Sequence, residues 1–203
     1  MKNRERPNLL LLDEEIRDRA GVVCGVDEAG RGPLAGPVYA AAVILPEGWC
    51  PAELDDSKKL TPKKRDALFD EILANAVSWG IASATEKEID EINILQATFL
   101  AMNRAIAQLS VPFSLAMIDG NRSTGITCPA ETFVGGDGRS ASIAAASILA
   151  KVSRDRYMEQ AALTYPQYGF DGHKGYGTKA HYEAIRQFGP CPLHRMTFLK
   201  KLH

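Results

Sequence analysis

The sequence predicts an α/β protein built on a mixed sheet, and three observations carry that expectation. Short β-branched, apolar runs occur at 22–27 ("VVCGVD"), 38–45 ("VYAAAVIL") and 77–85 ("VSWGIASAT"). Segments with helical apolar spacing lie at 61–76 and at about 93–109. Strand-like runs return at 114–120 ("SLAMIDG") and 131–138 ("ETFVGGDG"), ahead of a long Ala-rich stretch. Strands, helices and strands again fit a mixed sheet better than a strictly alternating, doubly wound one.

Each element has a local reason. The first two runs are rich in residues that suit a pleated, buried surface, and the Gly/Pro segment between them reads as a connection. In 61–76, Thr61 is placed to cap, Pro62 sits in the first turn, and Leu68, Ile72 and Leu73 line one face. The next helix starts at a capping Asn93 and carries Leu95, Phe99, Met102 and Ile106 at helical spacing. "SLAMIDG" is a short buried strand ending in a carboxylate and a glycine, and "ETFVGGDG" is a strand followed by a Gly-rich turn. From 140 to 165 the alanines predict a long helix packed closely on the sheet. A last helix is expected near 178–188, within an otherwise turn-rich tail.

At 203 residues, 45% apolar and 24% charged, the chain has enough apolar material for the core of one domain, which excludes a disordered chain. The expected partition is a core over 1–150 with a helical extension over 151–203 packed on it, forming one structural domain. No apolar run reaches 18 residues, and the four leucines of "MKNRERPNLLLLDEE" are too few for a signal peptide, so a cytoplasmic protein without a membrane anchor is expected. Cys24, Cys50, Cys128 and Cys191 form no CxxC pair, and the four histidines have no HExxH spacing, which excludes the common zinc motifs. Charge is unevenly spread: residues 151–203 hold nine basic and four acidic side chains and every histidine, whereas the first 150 are net acidic. A basic flank beside an acidic body suits phosphate binding, although a solvated surface explains it equally well.

Asp27 and Asp119 share a context, each closing an apolar strand just before small residues ("VDEAG", "IDGN"). If those strands are parallel neighbours, both carboxylates emerge at one sheet edge, where α/β proteins place their sites. Asp137 follows a third strand-like run and can reach the same edge. Glu28 points to the opposite face on an ideal strand and joins only if the chain turns there. Clustered carboxylates repel unless a cation compensates them, and oxygen-only ligands select hard Mg²⁺ or Mn²⁺. Two such ions about 3.5–4 Å apart activate water and stabilise a leaving oxygen in phosphoryl displacement. On spacing alone, this metal chemistry and simple turn-forming aspartates remain equally open. "GRGPLAG" fails as a dinucleotide fingerprint, being one residue too long with Pro33 and Pro37 at the helix start. "DGNRSTG" fails as a calcium loop, with Thr124 in place of the required Gly and Ala130 in place of the Glu.

Taken together, "GVDEAGRGPLAGPVYAAAVIL", "DDSKKLTPKKR", "IDGN", "GGDGRSASIAAASILAKVSRDR", "YGFDGHKGYGTKAH" and "HRMTFL" resemble the bacterial ribonuclease HII family, the type 2 ribonucleases H, in order and from about residue 22 to 199. The resemblance implies an RNase H-like fold, with a mixed five-stranded sheet flanked by helices and a C-terminal helical extension. It implies cleavage of RNA in RNA–DNA hybrids, and 5′ to single ribonucleotides embedded in duplex DNA, leaving 3′-hydroxyl and 5′-phosphate ends. It carries the acidic set onto Asp27, Glu28, Asp119 and Asp137, with Mg²⁺ or Mn²⁺, two ions once substrate is bound. Gly30, Arg31 and Gly32 match the element whose backbone reads the ribose 2′-hydroxyl, and Tyr176 matches the tyrosine that stacks on the adjoining deoxynucleotide sugar. Lys58, Lys59, Arg122, Lys151, Arg154 and Lys174 are candidates for phosphate contacts. One departure is "VGGDG", where Gly135 replaces the usual lysine two residues before the fourth acid.

The rival expectations are a DNA-cleaving nuclease of the same fold and a silent nucleic-acid-binding module. The second conflicts with concentrated negative charge facing phosphate. A monomer is the default expectation for assembly.

Overall fold

The computed structural model describes residues 8–55, 57 and 60–200. Helix α1 (Leu10–Ala20) leads into strand β1 (Val23–Ala29), which turns into β2 (Val38–Ile44). Helix α2 (Pro62–Asn75), strand β3 (Ser78–Ala84) and helix α3 (Glu86–Ile106) follow, then β4 (Leu115–Asp119) and β5 (Ala130–Phe133). The long α4 (Ala141–Thr164), a single-turn α5 (Phe170–His173) and α6 (Lys179–Phe188) complete the described chain. The five strands form one sheet in the order β3-β2-β1-β4-β5. β1 pairs antiparallel with β2 and β2 with β3, whereas β1–β4 and β4–β5 are parallel. The sheet is therefore mixed and five-stranded, as expected.

The period-two rule of strands sorts the core into two layers. On β2, Ala41 and Val43 pack with Leu68, Ile72 and the alanines of α4, while Ala40, Ala42 and Ile44 face Phe99, Met102 and Ile106 of α3. Small residues let α4 lie almost on the sheet: a Cβ built on Gly25 of β1 would stand 2.1 Å from the carbonyl carbon of Ser142. That approach brings α4 beneath the ends of β1 and β4, and position 150 lies in the middle of this helix.

Thr61, Ser140 and Thr178 cap α2, α4 and α6 through their side-chain oxygens, accepting from Lys64, Ile143 and His181 amides. The helix expected from Asn93 is present: Asn93 leaves the helical conformation (φ 68°, ψ 163°), and its Oδ1 accepts from the Leu95 and Gln96 amides. It thereby caps the second of two helical segments that α3 joins across a kink, whereas the first segment, from Glu86, is not among the expected elements. Thr85 and Glu88 form a reciprocal capping box that starts the earlier turn. Helix α1 has no counterpart among the elements expected from the sequence. It is pinned by buried Asp13, whose carboxylate accepts from the hydroxyls of Ser140 and Ser142 and, at 2.9 Å, from the Ser142 amide. Among the described residues, no helix is long and apolar enough to cross a membrane.

Candidate active site

The register of β1 against β4 pairs Val26 with Ile118, so Asp27 and Asp119 are the next residues on two parallel strands. The side chains of Val23 on β1 and Met117 on β4, and the bare Cα face of Gly25, look towards α1 and α4, and Asp27 and Asp119 continue those rows. The conditional expectation for this pair is met by parallel pairing. For Glu28 the physical route differs from the one anticipated. β1 does not turn there but runs on to Ala29, so Glu28 stays on the α3 side and acts over the strand end.

Two clefts meet at this edge. One, of about 220 Å³, is lined by Asp27, Glu28, Gly30, Asp119, Lys151 and Tyr176, with Ser57 and Ser147 at its base. The other, of about 380 Å³, lies on the α3 side and has Glu28, Asp119, Arg31 and Arg122 around an apolar floor that includes Phe99 and Met102. Glu28 and Asp119 belong to both. Burial, and then the charges of Glu28 and Asp119, push the Asp27 carboxyl well above the ordinary carboxylate range. Hydrogen bonds from the Glu28 amide (2.7 Å) and from Ser147 offset part of that rise. Asp119 Oδ1 accepts from the Gly136 amide at 2.8 Å, which ties it to the turn holding Asp137. Asp137 itself is buried in that turn, and among the described residues the lining of neither cleft includes it.

The remaining candidates fall into distinct places. Gly30 has φ +97° and a missing Cβ that would meet Arg154 Nε at 2.0 Å, so only glycine fits there. Arg31 and Gly32 are exposed, and Gly32 lies beside the Tyr176 ring. Tyr176 is 47% exposed, with the Arg154 guanidinium 5.8 Å from its ring centroid. Lys151 reaches the cleft while paired with Asp155 at 2.6 Å. Lys174 donates to Glu159 at 2.8 Å and to the Asp171 carbonyl, away from both linings. Arg154 is 1% exposed and spends its guanidinium on the carbonyls of Ala35 and Pro37. Lys58 and Lys59 lie outside the described residues.

Sequence reasoning missed Ser57, Ser147 and Arg195. Ser147 had a signal: with Lys151 and Arg154 it forms an i, i+4, i+7 polar line along an otherwise Ala-rich helix. Arg195 had only its place in the "HRMTFL" motif, which assigns it no role, because its contacts are to carbonyls some 160 positions earlier in the chain.

Among the described residues, no three His, Cys, Asp or Glu side chains converge into a complete metal cage. The donors at this edge are nonetheless all carboxylate oxygens, and Asp27 is held against its own desolvation and two like charges. That chemistry fits a hard divalent ion whose shell is completed by water and phosphate oxygens.

A mixed five-stranded sheet of this order, with helices on both faces and acidic side chains where two parallel strands end, defines an RNase H-like enzyme. The family model for Ribonuclease HII matches residues 24–201. Ribonuclease HII of Geotalea daltonii is 53% identical over 195 residues, covering 96% of this chain and 90% of that protein. Ribonuclease HII of Burkholderia pseudomallei is 56% identical over 177 residues, covering 87% and 83%. The crystal structure of ribonuclease H2 from Pyrococcus horikoshii superposes with a TM-score of 0.71 at 27% identity, covering 86% of this chain and 92% of that one. The chain belongs to the ribonuclease HII family. It is an endoribonuclease, a phosphodiester hydrolase acting on nucleic acid, in a family that depends on divalent metal.

Proposed function

We propose that this enzyme cuts the RNA strand of RNA–DNA hybrids and the bond 5′ to a single ribonucleotide in duplex DNA, leaving 3′-hydroxyl and 5′-phosphate ends. The observation that carries the reading is one cleft in which Asp27, Glu28 and Asp119 stand beside Gly30 and Tyr176. Reactive groups and sugar-reading groups are thus within one nucleotide's reach of each other. Asp27, Glu28, Asp119 and Asp137 would hold Mg²⁺ or Mn²⁺, two ions with substrate bound. When bound, such ions supply Lewis-acid polarisation of the phosphoryl oxygen and a lowered pKa for the attacking water.

The protein's own groups do the selecting. In the peptides joining Gly30 to Arg31 and Arg31 to Gly32, both carbonyls are drawn inward onto the Arg195 guanidinium, at 2.6 and 2.9 Å. A trans peptide sets its N–H opposite its C=O, so the Arg31 and Gly32 amides face outward as donors for a 2′-hydroxyl. Tyr176 offers a half-exposed ring for the neighbouring sugar. Lys151 on one side, and Arg31 with Arg122 on the other, carry positive charge for the flanking phosphates.

The test is a DNA duplex containing one ribonucleotide, incubated with Mg²⁺ or Mn²⁺ and in parallel with chelator. A single cut 5′ to the ribonucleotide, lost with chelator, is the expected result. Equal cutting of an all-DNA duplex, or cleavage indifferent to chelator, would overturn the reading.

A further inference from the structure

The C-terminal "LHRMTF" lines neither cleft, yet it contacts one sugar-reading element directly and the other through a single intermediary. Its backbone pairs with the segment after the Gly30–Gly32 turn: the Arg195 amide donates to Leu34 O at 2.8 Å, and the Gly36 amide donates to Leu193 O at 2.9 Å. Arg195 is 0% exposed, and its three-pronged guanidinium donates to the carbonyls of Gly30, Arg31 and Gly36. Buried Glu86 faces it as counter-charge.

His194, immediately before it, is 3% exposed and reaches Tyr176 through one intermediary. The Cys191 amide donates to His194 Nδ1 at 2.9 Å, closer than the Cys191 carbonyl at 3.3 Å, and this shorter bond places the His194 proton on Nε2. Nε2–H then donates to His181 Nε2 at 3.1 Å, which leaves the His181 proton on Nδ1. His181 Nδ1–H donates in turn to the Tyr176 carbonyl at 2.9 Å. Each step dictates the next, because a carbonyl only accepts and an amide only donates. His173 completes the support, accepting from the Gly175 amide on Nδ1 and lying 2.7 Å from the Tyr168 carbonyl through Nε2.

We propose that the dipeptide His194–Arg195 is a positioning element that sets the Gly30–Gly32 turn and Tyr176 against each other, Arg195 by gripping the turn's carbonyls and His194 by a directional imidazole relay to the Tyr176 backbone. Ribonucleotide recognition therefore depends on two residues that never meet the substrate. The inference rests on the reading that the turn and Tyr176 recognise the sugars.

A double-mutant cycle tests it. Single-ribonucleotide cleavage is measured for His194→Phe, Tyr176→Ala and the pair, with thermal midpoints recorded for each. His194→Phe preserves ring packing against Tyr168 and Phe170 but cannot relay a proton bond. It is expected to lower kcat/KM about tenfold alone and to cost nothing further in the Tyr176→Ala background. Arg195→Lys keeps the charge but not the fork, and is expected to shrink the binding preference for a ribonucleotide-containing duplex over all-DNA about tenfold, leaving all-DNA affinity unchanged. Imidazole nitrogen shifts in the unmodified enzyme read the relay without any mutation: Nε2-protonated His194 with Nδ1-protonated His181 is expected, and the reverse tautomers would overturn the proposal. Additive losses in the cycle, with Tyr176→Ala itself impaired, would overturn the proposal alone. An unimpaired Tyr176→Ala would remove the functional reading and the proposal with it.

Discussion

Replacing Asp13 by alanine should destabilise the enzyme more than any other change in its first helix. The carboxylate is 2% exposed and carries three hydrogen bonds, from the Ser140 hydroxyl, the Ser142 amide and the Ser142 hydroxyl. All three donors belong to the first turn of α4, where the helix dipole favours an anion. Bonds to a charged acceptor contribute about 1.5–3 kcal/mol each, and they do not add fully because they share one group. Alanine also strands the Ser142 amide in a buried place. The expected loss is about 3–5 kcal/mol, or roughly 10 °C in thermal midpoint for a chain of this size. Asp13→Asn keeps the shape and one acceptor oxygen, so its loss should be smaller, about 1–2 kcal/mol. Urea titration followed by circular dichroism measures both, with the slope checked for constancy. A loss under about 1 kcal/mol for alanine, or equal losses for the two variants, would refute the claim that this carboxylate anchors α4. The effect bears on function because α4 delivers Ser147 and Lys151 to the cleft.

Asp119→Asn retains an acceptor for the Gly136 amide, so stability should change by no more than about 1 kcal/mol while turnover falls at least about 1,000-fold; near-normal turnover would show that the acidic cluster is wrongly drawn. Gly30→Ala forces a methyl into Arg154 at a positive φ, and both parts of that cost, about 3 kcal/mol together, should appear as a lowered melting temperature and impaired ribonucleotide cleavage. A variant of Gly30→Ala that melts normally would mean the turn adapts freely. Burial above all, with His173 and His194 nearby, pulls His181 down to about 4, below its unfolded value of about 6.5. The unfolded chain then binds the extra proton first, so this contribution to stability is intact above pH 6.5 and lost as pH falls towards 4, by at most about 3 kcal/mol. His181→Phe should flatten the pH slope of the urea midpoint in that window, and an unchanged slope would count against a neutral buried imidazole.

Much of this fold was legible from local pattern. The capped helix at Thr61, the Ala-rich helix and all five strands follow from residue type and spacing, which act over a few neighbours. The elements that escaped have local patterns in conflict with their surroundings. In α1 the buried residues include Asp13 beside Ile16, and a charge on the inner face hides the helical stripe. The first turns of α3, "EKEIDEI", are mostly charged, although Thr85 and Glu88 at capping-box spacing were there to be read. Asp27 and Asp119 could be singled out because each ends an apolar run at a turn.

By itself, then, the sequence determined the alternation of elements, the acidic residues at strand ends and, through motif order, the family. It could state only as a condition that two strands lie parallel side by side. Tertiary structure decided that condition through the β1–β4 register, kept Glu28 on the α3 face by carrying β1 through to Ala29, and set Asp137 back in the turn behind Asp119. It also joined residues 194 and 195 to a turn at 30–32 and a tyrosine at 176. Hydrogen bonds between groups so far apart in the chain leave no periodicity in the sequence, because what selects them is the packing of the finished fold.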